Sequence, residues 1–322
     1  MAEDQKQAGW TMRTDLAVEA KEMIAPREGV NIPGVSSESY AEDSISVDHV
    51  SIQTPEAERA MNKAMGNYVN IEAPGLREKD TELQDKVSHL LAKELNNLAQ
   101  FTEDTQLLVV GLGNWNVTPD AIGPRVVSEL VVTRHLKKYV PENLGPGFRS
   151  MAAIAPGVLG ITGLETGEII KGVVQEVQPT MILAVDALAA RSLERLNTTI
   201  QIADNGIHPG SGVGNQRMGI TKESMGIPVV AMGVPTVVEA STIVNDALEM
   251  AQGQQGKPSN HNETANRQMI NQALSPYSGE GHSLMVTPKE VDQFVDDIAD
   301  VIAGGVNVAV HPRVAEEQGL AM

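Results

Sequence analysis

A chain of 322 residues with a formal net charge of −18 and no cysteine excludes several functions at once. Recognition of nucleic acid or of an anionic membrane needs clustered Lys and Arg, while thiolate nucleophiles, disulfides and Cys metal sites need the missing residue. Aromatic residues make up only 3%, so the core, ample at this length, is aliphatic.

Residues 1–15 are polar, with no basic region leading into an apolar one, and no apolar run approaches the ~18 residues of a membrane span. The expectation is a soluble, cytoplasmic protein. Residues 27–43 are rich in Gly, Pro and Ser and predict a mobile connection. Residues 46–52 and 68–72 alternate as strands do, and residues 56–65 between them have helical spacing. Together they predict a small α+β lobe over residues 45–75. Residues 80–101 form the clearest helix of the first half, with Val87, Leu90, Leu91, Leu95 and Leu98 in one stripe.

Leu107 to Val110 reads as a strand buried on both faces. Gly111 and Gly113 then turn the chain, Asn114 follows, and a loop carries Asp120 to a helix expected over residues 125–138, with Pro124 at its first position. A short apolar run at 151–157 precedes a helix at 163–177 and the strongest strand, 180–186, which ends on Asp186. Strands at 198–203 and 229–235 and a helix at 237–250 complete an alternation that predicts a three-layer α/β fold, a mostly parallel twisted sheet with helices on both faces. Residues 251–281 turn polar, a loop or insertion. A last helix, 288–304, presents Val291, Phe294, Val295, Ile298, Val301 and Ile302 to the core.

Chemistry gathers beyond the carboxyl ends of parallel strands, where Asp120 and Asp186 are both expected. On neighbouring strands the two carboxylates would converge, one ionised and one protonated, an acid and a base for adding water to an amide. Each has a plainer reading. Asp120 can close a turn, and Asp186 can cap a helix beginning at Ala187 or pair with Arg191. The Gly-x-Gly here lacks the third glycine of a dinucleotide site, Asn116 standing in its place. A third feature, residues 206–215, is a glycine-rich loop containing His208, Gly210, Ser211 and Gly212. Its N–H groups could face an oxyanion. His208 could be a base, a metal ligand or a turn residue. Ser211 lacks the Gly-x-Ser-x-Gly setting of a nucleophile elbow.

Five stretches carry a resemblance: residues 13–20 (Arg-Thr-Asp-Leu-Ala-Val-Glu-Ala), 109–114 with 118–120, 186–192, 206–215 and 284–292. In these the chain resembles the germination proteases of spore-forming bacteria, which degrade small acid-soluble spore proteins. Residues 27–60 and 251–281 match poorly.

The resemblance implies an atypical aspartic-type peptidase with Asp120 and Asp186 catalytic, no cofactor, and a fold like the hydrogenase-maturation endopeptidases. Those use acidic residues around a metal, so His208 with Asp120 and Asp186 is a second, metal-dependent reading; a non-catalytic anion-binding protein is a third. Gly111, Gly113, Asn114, His208, Gly210, Ser211 and Gly212 are candidates for the substrate and oxyanion loops. The resemblance also implies a precursor that cuts itself between Asp15 and Leu16, so that residues 1–15 are a propeptide and 16–322 a single peptidase domain. It implies a homotetramer in the spore core; the expectation of no nucleic-acid or membrane partner comes from the net charge. Thr14-Asp15-Leu16-Ala17-Val18-Glu19 has the side-chain order of the family's cleavage sites, an acidic residue before the cut and an apolar one after.

Overall fold

Strand β4 (Gln106–Gly111) and strand β6 (Met181–Ala190) lie side by side in the parallel half of a nine-stranded sheet. The computed structural model describes residues 14–24, 32–208, 218–251, 269–270, 272–277 and 283–313. β5 (Ser150–Ile154), β4, β6 and β8 (Val229–Glu239) run parallel. Beyond β8 the sheet continues antiparallel through β7 (Thr199–Ala203), β3 (Gly66–Glu72), β2 (Ile45–Ile52) and β1 (Val35–Glu42), while β9 (Met285–Val286) pairs with the end of β8. The α+β segment at 45–75 therefore extends the central sheet.

The helices that accompany it include α1 (Ala17–Ile24), α2 (Pro55–Met61), α3 (Thr81–Ala99), α4 (Ile122–Glu129), α5 (Arg134–Tyr139), α6 (Leu159–Thr162), α7 (Thr166–Val177), α8 (Lys222–Met225), α9 (Ala240–Ala251) and α10 (Val291–Val310). Successive residues of β4 divide between two cores, because a strand alternates its side chains. Leu107 and Val109 join the cluster under α3, α4 and α10; Leu108 and Val110 join the one under α7 and α8. Helices α1 and α2 cover Val50, Ile52 and Tyr68. The result is three layers.

Five sequence expectations change. Residues 35–42 are not a loose connection but β1, an exposed edge strand whose polarity hides it. The helix expected over 125–138 is two, α4 and α5, because the intervening Thr133 pairs with Met151 beside β5. Pro124 is the third residue of α4, still in the first turn, where a missing N–H is tolerated. β8 runs on to Glu239, so the helix read from 237 begins at Ala240. The last helix passes through Gly304 and Gly305 to Val310. A Cβ at Gly305 would lie 2.8 Å from the Ser88 carbonyl, so glycine here lets α10 approach α3 closely.

Candidate active site

The turn after β4 is held against β6 by the backbone itself. Leu112 N–H donates to the Val185 carbonyl at 2.7 Å, and a Cβ at Gly123 would stand 2.5 Å from that same oxygen. Gly113 has φ 110°, and a Cβ there would stand 2.0 Å from the Asp120 carbonyl. Asn114 N–H donates to that carbonyl at 2.8 Å, and Asp120 N–H to Val117 at 2.7 Å. The Thr236 hydroxyl of β8 donates to the Pro119 carbonyl at 2.6 Å. Residues 113–120 thus form a closed loop pinned over the strand ends, with Asp120 on its last turn.

Asp186 is buried, opposite Gly233 of β8. Its Oδ1 accepts from Ala187 N–H at 2.9 Å. It does not cap a helix: β6 continues four residues past it, because β8 continues beside it. β4 stops pairing at Val185, which leaves one edge of β6 uncovered by a strand from there on.

The N-terminal segment occupies that edge. Asp15 N–H donates to the Ala189 carbonyl and Ala189 N–H donates to Asp15 Oδ2, both at 2.8 Å. Further along, the Glu19 carboxylate accepts from Arg191 N–H at 2.7 Å and Ser192 N–H at 2.9 Å, and from the Thr14 hydroxyl. Arg195 meets Glu19, Glu22 and Glu72. Burial pulls the pKa of its guanidinium down, but Glu22 and Glu72 outweigh it and hold it above the ordinary range. Leu16 is fully buried among Leu188, Ala190, Leu196 and Val238. Gln201 of β7 spans both sides of the Asp15–Leu16 bond, its Nε2 donating to the Asp15 carbonyl at 3.1 Å and its Oε1 accepting from Ala17 N–H at 2.7 Å.

One cavity of about 1200 Å³ is lined by Asp15, Asp120, Asp186, Gln201, His208 and Glu239, among others. It gathers the two candidate aspartates, the expected cleavage point, Gly113 and His208. Gly111 packs below it on Gly123, and the Asn114 side chain accepts from Asn116 N–H to brace the loop. Gly210, Ser211 and Gly212 lie outside the described residues. His208 does not join Asp120 and Asp186 as a ligand set: its ring lies over Gly219, next to the Ile207–Ile220 bridge, and no three His, Asp or Glu among the described residues group to hold a metal. Sequence reasoning missed Gln201 and Glu19. For Glu19 there was a signal, an acid between the apolar run Leu16-Ala17-Val18 and Ala20; Gln201 gave none.

Comparison with known proteins gives concordant matches. The family model for germination proteases matches residues 14–265 and 251–321. The germination protease of Caldanaerobacter subterraneus subsp. tengcongensis is 51% identical over 95% of this chain and 96% of its own length. That of Clostridium tetani is 45% identical over 95% and 98%, and that of Bacillus subtilis 44% over 96% and 95%. Among solved structures, the NiFe hydrogenase maturation protease HycI of Thermococcus kodakarensis is 18% identical, with a TM-score of 0.33 over 66% of this chain and 98% of that one, a likeness too slight to bear on mechanism.

Proposed function

This chain belongs to the germination protease family and is a protease of spore germination; from that premise we propose an aspartic-type endopeptidase in which Asp120 and Asp186 share the addition of water to a peptide bond. One ionised carboxylate takes a proton from water as its oxygen attacks the scissile carbonyl carbon. The other, protonated, delivers its proton to the nitrogen that leaves. The observation that carries this reading is that both side chains line the cavity that also holds Asp15.

The substrates are small acid-soluble spore proteins, cut after an acidic residue and before an apolar one. The chain is a zymogen that removes residues 1–15 itself, and it works as a homotetramer in the spore core. The Asp15–Leu16 pairing fits that specificity, since Asp15 is met by a backbone N–H and Leu16 by an aliphatic pocket.

The test is to replace each aspartate by asparagine, D120N and D186N, and follow both the mass of the full chain and cleavage of a spore-protein peptide. Each variant is expected to lose both activities by ~100-fold or more, and the wild type to show a bell-shaped pH profile, since one group must be charged and its partner neutral. Near-wild-type rates in either variant end the dyad assignment. A chelator that abolishes cleavage would favour the metal-dependent reading, and an N-terminal mass that never changes on ageing would favour the anion-binding one.

A further inference from the structure

Gln201 has no part in the chemistry so far, yet its amide straddles the bond expected to be cut, one end on the carbonyl of that bond and the other on the N–H of the next peptide. The side chain is 7% exposed. An amide oxygen only accepts and an amide NH2 only donates, so Ala17 N–H fixes Oε1 and turns Nε2 toward the Asp15 carbonyl.

The sheet explains why this residue reaches the site. Gln201 stands opposite Gly233, and Gly233 opposite Asp186. Residues paired across neighbouring strands project from the same face, so Gln201 and Asp186 rise together with no side chain on the strand between them. Leu188 closes over Gly233, where a Cβ would meet it at 2.5 Å, and its cluster holds Leu16. The bond therefore has an acid before it on the Ala189 N–H, an apolar pocket after it, and one donor on its carbonyl oxygen.

We propose that Gln201 is the oxyanion donor of the self-cleavage reaction. This rests on the reading that the Asp15–Leu16 bond is the one cut. As water oxygen bonds to the Asp15 carbonyl carbon, the carbonyl electron pair moves onto the oxygen that Nε2–H already holds. That contact, 3.1 Å in the resting chain, shortens and strengthens as its acceptor becomes charged. The pair then returns to carbon as the bond to the Leu16 nitrogen breaks and that nitrogen leaves with the proton from the dyad. Ala17 remains after the cut, so the amide stays aimed into the cavity and can receive the carbonyl of an incoming substrate.

The competing role for Gln201 is a cap on the first turn of α1. Two variants of the full chain separate the roles. Q201E keeps the acceptor for Ala17 N–H and removes the donor; Q201A removes both. Loss of residues 1–15 is timed by intact mass alongside thermal unfolding. At neutral pH both variants are expected to process ~100-fold more slowly than wild type; ionised Q201E sets a buried carboxylate against the Asp15 carbonyl oxygen and is expected to melt below wild type, so processing is timed at a temperature at which all three chains are folded. Q201E is expected to recover as the pH falls and its carboxyl becomes an O–H donor, a recovery that capping alone does not give. Processing within about threefold of wild type in both variants overturns the assignment. So does a Q201E defect that is the same at every pH and tracks lost stability. A wild-type chain that never loses residues 1–15 while still cutting spore-protein peptide would instead overturn the self-cleavage reading, and this inference with it.

Discussion

At position 113 a side chain has nowhere to go. The left-handed φ of 110° and the Asp120 carbonyl, 2.0 Å from the would-be Cβ, both require glycine. Gly113→Ala is expected to cost about 2–4 kcal/mol and to displace Asp120, so cleavage should fall further than stability alone explains. Urea unfolding and peptide cleavage, measured together below the unfolding transition, check this; an active, stable G113A would mean that the loop tolerates another path. That glycine was legible in the sequence as a sharp turn, and so were the strands that lead to the two aspartates, because a run such as Ile182-Leu183-Ala184-Val185 ahead of an acid marks a buried strand. Gln201 was not. In Thr199-Ile200-Gln201-Ile202-Ala203 it reads as the outward position of an alternating strand, and what makes it special is a partner 184 residues away.

Local propensity misleads most where one element outlasts its neighbour. Ala187-Leu188-Ala189-Ala190 would suit a helix, yet it is strand, because β8 offers a ladder there and α1 covers the other side. Once β4 has ended, the carboxylates of Asp15 and Glu19 take the N–H groups that a fifth parallel strand would have taken. Such coverage depends on residues far apart in the chain and leaves no periodic signal. It also makes Glu19 the fastening of α1. Glu19→Ala would leave two partly buried N–H groups, of Arg191 and Ser192, without their acceptor and is expected to cost about 2–4 kcal/mol. Arg195 would keep Glu22 and Glu72, so the loss should fall short of that for an abandoned buried charge. The expected readout is a lower unfolding midpoint together with earlier proteolysis between residues 14 and 24; an unchanged midpoint would show that Arg195 alone holds the helix.

Across the whole molecule the excess of carboxylates works against the compact state. The charge of −18 opposes folding by self-repulsion, and one place where it is visible is the outer face of α10. There burial first, and then Glu129, Asp296 and Asp297, push the pKa of the Asp300 carboxyl up. A raised carboxyl destabilises the fold while it is ionised, and relief comes as the pH falls through its native value toward the unfolded one. Salt offers the same relief without titration, since the Debye length shrinks from roughly 20 Å in dilute buffer to below 10 Å above about 0.1 M. Arg195 and Glu19 lie largely inside the fold, and their attraction is screened far less. Added salt therefore removes more repulsion between exposed carboxylates than attraction within ion pairs, and the melting temperature is expected to rise by a few degrees between ~20 mM and ~0.5 M sodium chloride at pH 7. Asp300→Asn should melt higher than wild type at low salt and gain less from added salt, because part of the repulsion is already gone. A melting temperature that falls with salt would mean that surface ion pairs such as Arg125–Asp296 and Lys86–Asp43 outweigh the net charge.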